Sequence, residues 1–278
     1  MKNIKLIVKN NSDIIDYIVN NSDYSKSKIK SFFKYKKVSV NNKVIDKLPY
    51  KVNTNDTIEI SLEKEVKTPF RIIYEDNEIL VVDKKAGLLT IGSSASDIDT
   101  LYRMVRKYAT ENKFQVFIVN RLDKETSGIV MFAKSERFKM LYQDNWNELV
   151  TKRGYIAIVE GTIKKDGRIE NLLYEEKNTF VHSSKIGKKA ITNYKVLKYN
   201  DKYTLLDINI ETGRKNQIRV HMSEMGNPVV GDKKYGSHID PIKRMCLHSY
   251  ELVLRHPISG ERLVFESEIP KIFDKLMK

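Results

Sequence analysis

Apolar strand-like runs in this chain follow one another through tight turns, and helical periodicity interrupts them in only a few places. Residues 72–74, a turn at Glu75, Asp76 and Asn77, and residues 79–83 read as one hairpin; residues 191–199 and 203–211, joined at Asn200 and Asp201, read as another. Further strands are predicted at 154–160, 247–254 and 263–267. Parallel strands need long crossovers between each pair, whereas antiparallel strands need only a turn. The pattern therefore sets the class as α+β, with a mixed, largely antiparallel sheet and flanking helices. Three helices are expected in this part of the chain. One spans 98–111, with Leu101, Met104, Val105 and Tyr108 on one face. A second runs from Ser135 as N-cap to about residue 149, with Phe138, Leu141, Tyr142 and Trp146 inward. The third spans 215–225, with Ile218, Met222 and Met225 toward the core and Gly226 ending it.

A charged stretch at 63–68 before Pro69 marks a boundary, which divides the chain into a small N-terminal α/β domain, residues 1–65, and a large one, residues 69–278. The small piece reads as helices at 14–20 and 25–33, with Ile29, Phe32 and Phe33 at helical spacing. A strand at 38–40, a turn at Asn41 and Asn42, and a strand at 57–62 with Ile58, Ile60 and Leu62 on one face complete it. Lys26, Lys28, Lys30, Lys34, Lys36 and Lys37 crowd the second helix and its exit. Such a run is commonly plain solvated surface, but the scarcity of acids around it favours phosphate contact, with Lys30 and Lys34 as candidates.

The net charge of +14 points the same way, toward a polyanionic partner, and at this size toward nucleic acid before membrane. No run approaches the roughly eighteen apolar residues of a membrane helix. The first ten residues lack a secretory core, so a cytoplasmic protein is expected. A single cysteine, Cys246, rules out an internal disulfide, and the five histidines show no zinc spacing, so no metal is expected. Of the 50 basic residues 12 are Arg, leaving 50 − 12 = 38 Lys. Where Lys is the default cation, Arg is the informative choice, because only its planar fork grips a carboxylate or phosphate through two parallel bonds.

Asn120, Arg121, Leu122, Asp123, Lys124, Glu125, Thr126, Ser127 and Gly128 lie between two apolar strand-like runs, 115–119 and 129–133. A loop pinned by sheet at both ends holds a side chain firmly yet leaves it reachable, which makes Asp123 the candidate for chemistry. Ser127 lacks the Gly-x-Ser-x-Gly surroundings of a hydrolase nucleophile. His182, His221, His248 and His256 read mainly as structural or as facing the nucleic acid.

Three segments recur in a fixed order: Arg121-Leu122-Asp123 with Thr126-Ser127-Gly128, then Tyr155 after Lys152-Arg153-Gly154, then Thr212-Gly213-Arg214 leading to Gln217-Ile218-Arg219-Val220-His221. Val82-Asp83-Lys84-Lys85-Ala86-Gly87, Pro228 with Gly231-Asp232, and Tyr235-Gly236 accompany them. Together they resemble the RNA pseudouridine synthases of the large-subunit RluA/RluD-like family, over about residues 70–275. The N-terminal piece, about residues 12–62, resembles the S4 RNA-binding domain. Two positions depart from the family pattern, since Asn120 and Asn216 stand where His is usual. Both keep a hydrogen-bonding group and lose a titratable one.

The resemblance implies isomerisation of uridine in RNA, ribosomal RNA of the large subunit ahead of transfer RNA, by a monomer with no cofactor. Asp123 would add to C1′ or to the ring, or would abstract a ribose proton. Arg219 would hold that carboxylate at bidentate distance, with Arg214 as second choice or phosphate contact. Tyr155 would stack on the flipped uracil or assist loss of the C5 proton, and Arg121 would take the place of the extruded base. Asn120, Leu122 and Gln217 are expected at the RNA-contacting surface, and Lys84 and Lys85 toward RNA backbone or solvent. Two other classes remain open: an inactive RNA-binding or ribosome-assembly protein that kept the fold, and a hydrolase that uses Asp123 against C1′ with water completing the reaction.

Overall fold

The computed structural model describes the 278-residue chain apart from residues 1–3, 35–36, 46, 62–67, 93–96, 98 and 178–179, and apart from the side chains of Ser31 and Lys34. The boundary stretch at 63–67, Leu62, Lys36, Ile98 and the Lys34 side chain therefore lie outside the described residues. Two compact units divide the chain, Met1–Lys67 and Thr68–Lys278.

The first unit contains β1 (Ile4–Ile7), β2 (Ser12–Asp13), α1 (Ile14–Asn20), α2 (Lys26–Lys34), β3 (Val38–Val40), β4 (Lys43–Val44), β5 (Lys51–Val52) and β6 (Thr57–Ile60). Asp13 caps α1, its carboxylate accepting from the Ile15 N–H at 2.9 Å, as a helix start without intrahelical acceptors requires. A four-stranded sheet in the order β1-β6-β3-β4 packs Ile58, Ile60, Val38 and Val40 against Ile14, Ile18, Ile29, Phe32 and Phe33. Strand β1 was not expected, because Leu6, Ile7 and Val8 are consecutive apolar residues and Ile7, although 63 % exposed, hides the alternation. Lys26, Lys28 and Lys30 are exposed along α2.

The second unit contains β7 (Arg71–Glu75), β8 (Ile79–Lys84), α3 (Leu101–Glu111), β9 (Phe117–Ile118), β10 (Ser127–Ala133), α4 (Glu136–Asp144), α5 (Trp146–Leu149), β11 (Val150–Glu160), β12 (Gly167–Glu175), β13 (Val181–Ser183), β14 (Lys188–Tyr199), β15 (Tyr203–Ile210), α6 (Gln217–Glu224), β16 (Leu247–Arg255) and β17 (Arg262–Glu266). They build an 11-stranded sheet in the order β13-β12-β14-β15-β11-β16-β10-β8-β7, with β17 on β16 and β9 on β10. Among the described residues, every pairing of these strands is antiparallel except β10 with β16.

Strands β8 and β10 lie in the middle of a covered stretch of sheet, so both of their faces are buried. Ile79, Val81, Ile129, Met131 and Ala133 face Phe138 and Tyr142 of α4. Leu80, Val82, Val130 and Phe132 face Leu101, Val105 and Ala109 of α3. This explains why the two strands read as continuous apolar runs instead of alternating ones. Burying each such side chain contributes roughly 1.5–3 kcal/mol. The surface helix of residues 135–149 is two helices, broken at Asn145, and Met225, expected in the core, is 38 % exposed one residue beyond α6. Helix α6 starts two residues later than the periodicity suggested, because Asn216 lies in the left-handed region at φ 55°, and it ends one residue sooner, at Glu224.

Candidate active site

The Asp123 loop is tied at its base and clamped across its middle. Val119 N–H donates to the Met131 carbonyl at 3.1 Å, and Asn120 Oδ1 accepts from the Met131 N–H at 2.8 Å, so the loop leaves β9 and enters β10 through closed hydrogen bonds. The Thr90 hydroxyl donates to the Leu122 carbonyl at 2.7 Å. Lys84 Nζ donates to the carbonyls of Leu88 at 2.6 Å, Lys124 at 2.9 Å and Lys85 at 3.1 Å. Leu122 packs into the α3 cluster. Gly128, at φ +114°, closes the loop where β10 meets β16, and a Cβ there would lie 2.0 Å from the Ser249 carbonyl oxygen. Only glycine combines that backbone with that approach. The outcome is a carboxylate 29 % exposed on a main chain held from both sides.

Helix α6 presents Arg219 to it. Arg219 Nη1 donates to Asp123 Oδ2 at 3.1 Å and to Asn216 Oδ1 at 2.9 Å. The fork itself grips another acid, with Nε to Asp232 Oδ2 at 2.6 Å and Nη2 to Asp232 Oδ1 at 2.8 Å. Its other face lies on the Tyr235 ring, 4.9 Å from the centroid. Burial alone would lower the Arg219 pKa, but the bonds and charge of Asp232, with Asp123 behind them, raise it well above its ordinary value. A fixed, permanently charged donor thus faces Asp123.

Tyr155 sits in β11 between Ile208 of β15 and Ser249 of β16 and lines one pocket with Asp123, Arg219, Arg121 and Arg214. Burial pushes its hydroxyl pKa up, while the Arg153 charge and a hydrogen bond with Ser249 pull the other way. A wider cleft of about 1070 Å³ continues from this pocket past Asn120, Arg121, Arg153, Arg214 and Lys234. That is more room than one small ligand takes, and its walls are rich in cations. A carboxylate held by a guanidinium beside a half-buried phenol can attack an electrophilic carbon or take a proton, and it can do so with the charge already paired.

The structure brings Asp123, Tyr155 and Arg219 together and corrects several neighbouring expectations. Arg219 holds Asp232, not Asp123, in the bidentate grip, and Asp123 receives a single bond. Lys84, expected toward RNA or solvent, is fully buried and ties the Asp123 loop to the turn after β8; burial pushes its pKa down to about 8 against the pull of Asp123. Gln217, expected at the RNA surface, is buried. Its Oε1 accepts from the Thr212 hydroxyl and the Arg214 N–H, and its Nε2 donates to the Ile191 carbonyl and Thr192 Oγ1. Leu122 is likewise a core anchor that only edges the pocket. Asn216, at the second departure from the family pattern, donates through Nδ2 to the Tyr235 hydroxyl at 2.9 Å. Arg121, Arg214, Lys85 and Lys30 are exposed, and Arg214 Nε donates to the Lys189 carbonyl at 2.9 Å. Asp232, Tyr235 and Arg153 went unassigned from sequence; Gly231-Asp232 and Tyr235-Gly236 were visible as motifs, but nothing local said that an arginine would need them.

The RNA pseudouridylate synthase family matches residues 78–224, a span that includes the Asp123 loop, Tyr155 and Arg219. A ribosomal large subunit pseudouridine synthase D of Yersinia pestis is 31% identical over 274 residues, covering 90% of this chain and 84% of the relative. An uncharacterized RNA pseudouridine synthase of Aquifex aeolicus (strain VF5) is 34% identical over 279 residues, covering 90% and 88%. Among solved structures, human RNA pseudouridylate synthase domain containing 1 superposes with a TM-score of 0.61 at 24% identity over 74% of this chain and 86% of that one, which shows a shared fold. With a family match across the sheet core and relatives aligned over nine tenths of its length, the chain belongs to the RNA pseudouridine synthases, a family of isomerases.

Proposed function

We propose that this protein isomerises uridine to pseudouridine in large-subunit ribosomal RNA, with Asp123 acting on a nucleotide turned out of its helix into the cleft. The observation that carries the reading is the Asp123 carboxylate, bonded at 3.1 Å by an arginine that Asp232 immobilises, in one pocket with Tyr155. The named substrate of the Yersinia pestis relative supports ribosomal RNA over transfer RNA. The reaction cleaves the bond from ribose C1′ to N1 of uracil, turns the base, joins C1′ to C5, releases the C5 proton and leaves N1 protonated in its place. Substrate and product are isomers, so nothing is oxidised and no atom is added. Asp123 opens the sequence, as nucleophile on C1′ or the ring or as base toward the ribose. Arg219 orients it through the 3.1 Å bond. The Tyr155 ring supports the base, Arg121 fills the gap left in the RNA stack, and Arg214 meets the backbone. The N-terminal unit, S4-like in its helices and hairpin, adds affinity through the lysines of α2.

The test is incubation of unmodified large-subunit ribosomal RNA with the wild type and with Asp123→Asn, followed by mapping of pseudouridine. Conversion of defined uridines by the wild type alone is expected. Equal conversion by the variant overturns the role of Asp123, no conversion by either favours an RNA-binding protein, and release of free uracil would mean a hydrolase.

A further inference from the structure

Two arginines of the cleft are almost completely buried, and they differ in what neutralises them. Arg219 has Asp232 on its fork and Asp123 beyond. Arg153, 9 % exposed, donates through Nη2 to the main-chain carbonyl of Glu211, and that is its side chain's hydrogen-bond partner among the described residues. The Glu211 carboxylate is turned away to Arg168 and Asn193. Glu175, on the cleft wall, is bonded to Lys215 at 2.5 Å. Among the described residues, no carboxylate makes an ion pair with Arg153. The 212–214 segment wraps close around it, since a Cβ built on Gly213 would stand 3.3 Å from Arg153 Nη1, and the next residue is a second cation, Arg214. Burial pulls the Arg153 pKa down and the like charge of Arg214 adds to that, while Tyr155 and the Glu211 charge pull it up without reversing the shift.

A buried charge that faces a like charge is unfavourable unless an anion completes it. Both side chains line the wider cleft together with Tyr155 and Asp123. The anion that an RNA strand brings to this place is its phosphodiester, and a guanidinium fork fits two of its oxygens at once. We propose that Arg153, with Arg214, grips the phosphodiester adjoining the reacting nucleotide, and thereby sets how deeply the base enters beside Tyr155. The role rests on the RNA isomerase reading above and adds a specific backbone contact to it.

The experiment is a cycle between protein and RNA. An RNA fragment that the wild type converts is prepared with its natural backbone, and with a single neutral methylphosphonate at the linkage on either side of the target uridine. At one of those linkages the wild type is expected to lose roughly 10- to 100-fold in kcat/KM. Arg153→Gln loses a similar factor on natural RNA and loses nothing further at that linkage. Its affinity also falls less steeply with salt, by about one unit of slope, whereas Arg153→Lys keeps the slope and recovers part of the rate. If Arg153→Gln does not fold, as judged by its unfolding midpoint, the cycle is read on Arg153→Lys, for which the methylphosphonate penalty should shrink. Penalties that multiply at both linkages overturn the proposal while leaving the isomerase reading intact. A wild type that converts no uridine in ribosomal RNA overturns both.

Discussion

Two polar clusters adjoin the loop that carries Asp123, one at its tip and one at its foot. At the tip, Asp123, Arg219, Asp232 and Asn216 form a charged network that opens on the cleft. At the foot, between β10 and β16, Ser127 Oγ lies 2.8 Å from His248 Nδ1 and accepts from Arg244 Nη2 at 2.8 Å. By residue type the cluster at the foot is the closer match to catalytic machinery, a hydroxyl beside an imidazole. Yet Ser127 and His248 are both buried, and burial pushes the imidazole pKa down to about 4, so it is neutral at pH 7. No substrate reaches it. The cluster at the tip has an acid bonded to a fixed cation, and it has access. The difference teaches that charge meeting an open surface marks the candidate site, and that a hydroxyl–imidazole contact sealed in the sheet serves packing.

The comparison breaks most visibly at Asp123. Asp123→Asn should lower pseudouridine formation by about 10³-fold or more while the unfolding midpoint stays near that of the wild type, and retained turnover on ribosomal RNA would move the chemistry elsewhere. Next comes Asp232, which never meets substrate. Asp232→Asn leaves the buried Arg219 fork without its main partner and should cost about 3–5 kcal/mol in denaturant unfolding, with turnover reduced as well; an unchanged midpoint would mean that Asp123 alone satisfies Arg219.

The buried histidines set a smaller, pH-dependent effect. His248 and His221 both have folded-state pKa values pushed by burial from 6.5 to about 4. Between those values the unfolded chain binds more protons than the folded protein. Stability is therefore full above pH 6.5 and falls as pH drops toward 4, each imidazole removing roughly 1–3 kcal/mol. His248→Gln should reduce that slope by about half in acid unfolding followed by circular dichroism, and an unaltered slope would assign the acid sensitivity to other groups. The smallest change expected is Ser127→Ala: turnover within a few-fold of wild type, and about 1–3 kcal/mol of stability lost because His248 and Arg244 lose a partner. A loss of turnover as deep as that of Asp123→Asn would restore the foot of the loop as a reaction centre.

Much of this arrangement was legible in the residue order. The hairpins at β7–β8 and β14–β15, the helix α3, and the loop between two apolar strands all follow from local rules of period and turn chemistry. Strand β12 was missed because the consecutive apolar residues Leu172, Leu173 and Tyr174 interrupt the alternation of its charged first half, and β13 because it is only three residues long. A cation beside a strand end resembles a surface group, and nothing near Lys84 in sequence announces that its ammonium will be enclosed by the carbonyl of Lys124, 40 residues away.

The sequence by itself determined the α+β class, the place of the loop and the identity of its acid, because strand period, turn residues and a pinned loop are written within a dozen neighbouring positions. Only the tertiary structure decided that Arg219 grips Asp232 at 13 residues' separation and touches Asp123 at 96, that Lys84 and Gln217 are internal braces, and that Arg153 is left without an acid among the described residues. The physical reason is that the state of a charge depends on how completely water is removed from it and on which counter-charge replaces that water. Both are set by segments far apart in the chain that meet only when the sheet closes.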